Sequence, residues 1–216
     1  MALLILCSAL PASAQETRPP EGKPYFLVAS SDLGDPVFRH SVILMVPSTE
    51  LPVVAGVIIN EPTATPAHMV FPDVPAFKDL PNPTYFGGPV DNGEPTIIAR
   101  AINPSDQATH LLDDVYVSTD RDSIGAMIKA PAQSADLRVF SGRAQWKSDQ
   151  LQMEIAEGAW YIVPAKSEMI FSPEPTRLWR KLISRAELLE AGRDGFHSPI
   201  DLQLETAAVE VPDLER

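Results

Sequence analysis

The sequence predicts an α+β domain built mainly from strands, and three observations carry this. Short apolar runs rich in Val and Ile recur along the chain, at lengths typical of strands. Proline makes up 22 of 216 residues and falls mostly between those runs, which cuts the chain into short elements joined by turns. The few segments with helical caps or periodicity do not alternate regularly with the strands, unlike a doubly wound sheet. The length suits one domain with tails. No apolar run reaches the roughly 20 residues of a membrane-spanning helix.

The first residues read as an address. Ala2 to Leu10 form a short apolar run, Pro11 breaks it, and Ala12-Ser13-Ala14 is a small-residue cleavage pattern. Residues 1–14 are therefore expected to be a signal peptide cut before Gln15, with the mature chain periplasmic or secreted; the alternative is a buried N-terminal strand or helix on a cytoplasmic protein. No basic residue precedes the run, so a natural start further upstream is expected. Cys7 is the sole cysteine and lies in this segment, so the mature chain needs no disulfide and offers no thiol. Residues 15–24 are polar and proline-rich and read as a flexible leader.

The domain is expected to span residues 25–185. Tyr25 to Ser30 is a strand. Asp35 at a helix N-cap with Pro36 at the first helical position predicts a single turn to His40. Val42 to Val46 and Val53 to Ile59 are buried strands, and Gly56 inside the second marks a bulge or a close backbone approach. Asn60-Glu61-Pro62 ends that strand. Glu61 to Pro83 holds six prolines and reads as loop with one helical turn. Thr84 to Phe86 is a strand, and Gly87-Gly88-Pro89 a tight turn or kink. Pro95 to Ala101, Val115 to Ser118 and Leu137 to Ser141 are strands. Thr119-x-x-Asp122 predicts a helix over 120–129. Ser148 is placed as the cap of a helix to Glu157 that is stopped by Gly158, with Leu151 and Ile155 on one face. Ala159 to Val163 is a strand, and Thr176 to Arg185 a helix with Leu178, Trp179 and Leu182 inward. Residues 186–216 are expected to be an acidic tail: from Glu187 onward there are eight acidic and two basic residues.

The net charge of −12 disfavours nucleic-acid binding, since an acidic surface repels phosphate backbones. No phosphate-binding loop, dinucleotide fingerprint, paired-cysteine motif or nucleophile elbow is present. No cofactor and no metal are expected. Asp32, Asp35 and His40 are close in sequence, but capping and solvation account for them. His40 and Ser41 enter a strand side by side, so they point to opposite faces and do not form a nucleophile–base pair.

The chain resembles the YqgE/AlgH family over about residues 25 to 185. The resemblance rests on Phe26-Leu27-Val28-Ala29, Asp35-Pro36-Val37-Phe38-Arg39, Ser41-Val42 and Gly56-Val57-Ile58-Ile59-Asn60-Glu61-Pro62. It continues with Gly87-Gly88-Pro89-Val90, Gly142-Arg143-Ala144-Gln145-Trp146, Gln150-Leu151, Glu154 and Ala159-Trp160. It implies a bifurcated, mixed sheet curled into a pseudo-barrel with a few flanking helices, and no established enzyme activity. The chain departs from the family pattern in its leader, in its acidic tail and in Arg100, where the family often has histidine. A transcriptional role attached to the family name is not expected here, because the leader separates the chain from the chromosome.

Asp35, Arg39, Asn60, Gly87, Gly88, Trp146 and Glu154 are the candidate ligand or partner site. They fall at strand ends and turns, which converge on one rim of a curled sheet. Each also has a structural explanation: Asp35 as a cap, Asn60 as a turn former, the glycines by backbone angle, and Trp146, Trp160 and Trp179 as core. Glu154 pairs with Arg39 or Arg143, or lies exposed. Arg177, Arg180, Lys181 and Arg185 form a basic strip on an acidic protein. The expected function is a non-catalytic binding or regulatory module of the cell envelope, with an unidentified protein or small molecule as partner. The alternative is a small-molecule hydrolase with a site near Asp35, Arg39, Asn60 and Glu154. The two differ in whether those four side chains converge on one open pocket.

Overall fold

A computed structural model describes residues 22–46, 53–101, 106–129 and 136–195. The leader before Gly22 and the tail beyond Gly195 lie outside the described residues. Among the described residues ten strands form one sheet: β1 (Tyr25–Ala29), β2 (Val42–Val46), β3 (Val53–Ile58), β4 (Pro62–Pro66), β5 (Pro83–Phe86), β6 (Val90–Arg100), β7 (Thr109–Leu112), β8 (Val115–Ser118), β9 (Leu137–Lys147) and β10 (Trp160–Pro164). The helices are α1 (Ala67–Val70), α2 (Arg121–Lys129), α3 (Ser148–Ala156), α4 (Ser167–Ile170) and α5 (Leu178–Gly195). Among the described residues, no helix is long and apolar enough to cross a membrane.

The strand order is β10-β1-β2-β3-β9-β6-β8-β7, with β5 and β4 branching from β9. The sheet curls into a half-barrel, as an α+β fold with few helices. The pairings are antiparallel except β5 with β9, which makes the sheet mixed. Strand alternation sorts the core into layers. Phe26, Val28, Val42 and Leu44 pack with Tyr85, Ile98, Val117 and Phe140 from the other half of the sheet, inside the curl, with Leu178, Leu182 and Ile183 of α5. The opposite face of β1 and β2 packs Leu27, Ala29 and Ile43 against Trp146, Trp160 and the Leu151–Ile155 stripe of α3. The outer face of the other half, with Ile97 and Val139, is covered by Phe71, Phe77 and Ile124.

The branch sits on β9. Thr84, Tyr85 and Phe86 pair with residues 139–141 of β9 along one edge, while Thr96 and Ile97 of β6 pair with Phe140 and Val139 along the other. The chain therefore crosses the face of β9 between Phe86 and Val90. Gly87 joins both neighbours: its N–H donates to the Ser141 carbonyl at 2.8 Å, and its carbonyl accepts from the Ile58 N–H at 2.9 Å. A Cβ on Gly87 would collide with the Gly142 carbonyl, and one on Gly88 with the backbone of Arg143 and Ala144. Gly88 has φ +145° and Gly142 φ +75°, both in the region that favours glycine. The predicted kink is thus a crossing of one strand over another. Gly56 is the predicted close approach: its Cβ would lie 2.6 Å from the Leu44 carbonyl oxygen.

Several boundaries differ from the sequence reading. The segment 61–83 contains β4, α1 and a 3₁₀ turn at Pro75–Phe77 as well as loop. β4 is an exposed branch strand with proline at both paired positions, Pro62 and Pro66, a place where a missing N–H is tolerated. β6 starts at Val90, with an irregularity before Pro95, and β9 runs on to Lys147, so Trp146 lies in a strand. β7 is a further strand, half of it exposed and without an apolar run to mark it. Asp120, not Thr119, caps α2, its carboxylate accepting the Ser123 N–H at 2.8 Å. The N-cap residue of α3 is Lys147, which makes no side-chain cap hydrogen bond, and Ser148 is the first residue of the helix. α5 continues past Arg185 to Gly195, so the start of the expected tail is helical. Ala186 to Ala191 are good helix formers with no glycine or proline among them.

Replacing Gly88 by Ala is expected to cost on the order of 3 kcal/mol, from the positive φ and the collision with β9. Gly93→Ala, on an open stretch of β6, is expected to stay within about 0.5 kcal/mol of the wild type. Urea denaturation of both variants measures the difference.

Candidate functional site

The turn after β1 is built by Asp35. Its carboxylate accepts the N–H groups of Val37 at 2.8 Å and Phe38 at 3.0 Å, and its carbonyl accepts from Arg39 at 2.9 Å. This is the single helical turn that the Asp-Pro pair predicts. His40 leaves the turn with φ +62°, an uncommon angle for a residue with a side chain. Asn60 holds it there. The Asn60 Oδ1 accepts the Val42 N–H at 2.7 Å, and its Nδ2 donates to the His40 carbonyl at 2.9 Å. Asn60 is 6 % exposed. It clamps a neighbouring chain segment and does not merely close its own turn.

Phe38 anchors the other side of the turn. Its ring packs 5.3 Å from Trp146 and 5.9 Å from Trp160. Both indoles donate to one oxygen of Glu154, at 3.1 Å from Trp146 and 2.9 Å from Trp160, and Gln150 donates to the other at 2.8 Å. Glu154 is therefore a latch between β9, α3 and β10. The expected pairing of Glu154 with Arg39 or Arg143 is not formed; Arg143 pairs with Asp91 at 2.5 Å. His40 and Ser41 part as expected: the His40 ring lies 4.2 Å from Trp179, and Ser41 is fully buried.

An open cleft of about 450 Å³ lies between this turn and α5, lined by Pro36, Arg39, His40, Asn60, Glu61, Thr176, Trp179 and Arg180. Trp179 ties α5 to β1 by donating to the Ala29 carbonyl at 2.8 Å, and its ring carries His40. Arg39 comes from the turn and Arg180 from the first turn of α5, and both are exposed. Among the described residues neither has an ion-pair partner, whereas Arg100, Arg121, Arg143, Arg177 and Lys181 all do. Arg177 and Lys181 share Glu174, so the predicted basic strip is partly neutralised and Arg180 stands apart from that pairing. Glu61 is half-buried, and burial raises its pKa above the usual carboxylate value.

Of the seven candidate residues, Arg39 and Asn60 line this cleft. Asp35 supports it from behind as the cap. Trp146 and Glu154 lie beneath the turn, connected to it through Phe38. Gly87 and Gly88 belong to the β9 crossing, joined to the Asn60 region through Ile58. The four side chains of the hydrolase alternative do not converge: the carboxylates of Asp35 and Glu154 are engaged in the fold. His40, Glu61, Thr176, Trp179 and Arg180 were not among the candidates. Glu61 directly follows Asn60 in its motif, and Arg180 stood in the basic strip, but nothing local pairs the two segments.

Asn60→Ala is expected to destabilise the protein by about 2 kcal/mol, because it leaves the buried Val42 N–H unpaired. Equilibrium denaturation, with hydrogen exchange at Val42, reports both the loss and its place.

The AlgH-like family model matches residues 26–189. A UPF0301 protein from Thermobifida fusca is 32% identical over 169 residues, covering 74% of this chain and 84% of that one. Another from Streptomyces coelicolor is 32% identical over 163 residues, covering 74% and 83%. Among solved structures, protein DIP2367 from Corynebacterium diphtheriae has the same fold, with a TM-score of 0.61 at 23% identity over 78% of this chain and 88% of that one. The solution structure of AlgH from Pseudomonas aeruginosa gives 0.56 at 21% identity, over 94% and 100%. The chain belongs to the AlgH-like family.

Proposed function

We propose that this protein is a non-catalytic binding module of the cell envelope, and that an anionic ligand or partner group occupies the cleft between the 35–40 turn and α5. One observation carries the reading. Arg39 and Arg180, from elements far apart in sequence, face one open cleft without an ion-pair partner among the described residues. On a chain of net charge −12, two such guanidinium groups facing one cleft form a local positive centre suited to carboxylate or phosphate. The cleft also opens on the first turn of α5, where the helix dipole favours negative charge. Its volume is in the range of small-ligand sites. Capping by Asp35 and latching by Glu154 support binding over hydrolysis, since both carboxylates are committed to the architecture. The leader sequence supports the envelope.

Arg39→Ala is expected to leave stability within about 0.5 kcal/mol of the wild type, as for an exposed charge without a partner. It is expected to abolish ligand retention when the protein is taken from an envelope extract into native mass spectrometry. A large fall in melting temperature in this variant would instead make Arg39 structural.

Protein from the envelope fraction is expected to begin at Gln15 by N-terminal sequencing. An intact Met1 on protein found only in the cytosol would overturn the envelope assignment.

A further inference from the structure

We propose that the cleft recognises a small amino dicarboxylate, the chemical class of an acidic amino acid, with Arg39 and Arg180 taking its two carboxylates and Glu61 taking its ammonium group. The inference rests on the anion-binding reading and deepens it. A site for a simple anion gains nothing from a carboxylate in its wall, yet Glu61 lines the same cleft as the two arginines. Its side chain makes no hydrogen bond or ion pair with any described residue, whereas Asp91 and Glu94 beside the crossing pair with arginines. A half-buried carboxylate without a partner is costly, and a ligand ammonium group supplies the missing charge.

The charges then match. Two guanidinium groups and one carboxylate meet two carboxylates and one ammonium group. A dianion without the ammonium group sets one of its charges against Glu61, and a neutral amino acid leaves one arginine unanswered. The carbon chain of the ligand has a wall in the packed rings of Trp179 and His40, tilted at 49° with centroids 4.2 Å apart. That wall is stiff. The Trp179 ring is fixed by its bond to the Ala29 carbonyl and the His40 backbone by the Asn60 clamp, so this wall is in place before a ligand arrives. This gives the clamped, left-handed His40 a use beyond the turn itself.

The test is isothermal titration calorimetry of the full chain with L-glutamate, L-aspartate, N-acetyl-L-glutamate, glutarate, L-glutamine and inorganic phosphate. Glutamate or aspartate is expected to bind about tenfold or more tightly than the acetylated, deaminated or amidated analogue, as charge-assisted bonds are lost one at a time. In Glu61→Gln that preference over glutarate should vanish, while Arg39→Ala and Arg180→Ala should weaken every anion in the set. Thermal melts check that each variant is folded. Glutarate or phosphate binding as tightly as glutamate, in an Arg39-dependent way, overturns the amino dicarboxylate and leaves the anion cleft standing. Absence of Arg39-dependent binding by the whole set also overturns it, and retention of an envelope ligand then decides the cleft separately.

Discussion

The crossing of the chain over β9 is the constraint on which the rest of this fold depends. β9 serves three strands, and between Phe86 and Val90 the backbone must pass from one of its edges to the other across its face. Such a passage brings two backbones closer than any side chain allows, so Gly87, Gly88 and Gly142 stand where they do for want of room. By parting β3 from β5, the crossing lets the sheet curl, and the curl brings Phe26 and Leu44 onto Ile98 and Phe140 in one shared interior.

Once the sheet is curled, the turn at 35–40 is held from several sides. Asp35 caps it, Asn60 clamps its exit, and Phe38 sits on two indoles locked by Glu154. Polar groups that could have served chemistry are consumed in fixing backbone and rings. A carboxylate that accepts two indole N–H groups and an amide is well satisfied, which is how a half-buried charge persists in an apolar setting. The gain is rigidity at one rim of the half-barrel, opposite the first turn of α5. The backbones that carry Arg39 and Arg180 are thus held across the cleft from one another, while the two exposed side chains keep their own rotamer freedom.

What the sequence determined by itself is local. Tyr25–Ala29, Val42–Val46 and Val53–Ile58 were legible because an apolar β-branched run identifies a buried strand whatever its neighbours are. The Asp35 turn was legible because a cap and a proline act within a few residues. The tight spot at Gly56 and the glycine kink at 87–88 were legible as positions, since they restrict the local backbone. The family motifs conveyed the curl only by resemblance. Exposed β4 and β7 were not legible, because edge strands lack the apolar pattern that marks buried ones, and proline in β4 argued for loop.

Only the tertiary structure decided which residues meet. Asn60 could be assigned to a turn from its neighbours, but its true partners, His40 and Val42, are brought to it by the β2–β3 pairing. Glu154 could be matched to an arginine on charge, yet β9, α3 and β10 present it with two indoles first. Arg39 and Arg180 lie more than half the chain apart, and Glu61 between them carries no motif that links it to either. Their meeting is set by how α5 docks on β1 through Trp179, a long-range packing event that no local propensity encodes.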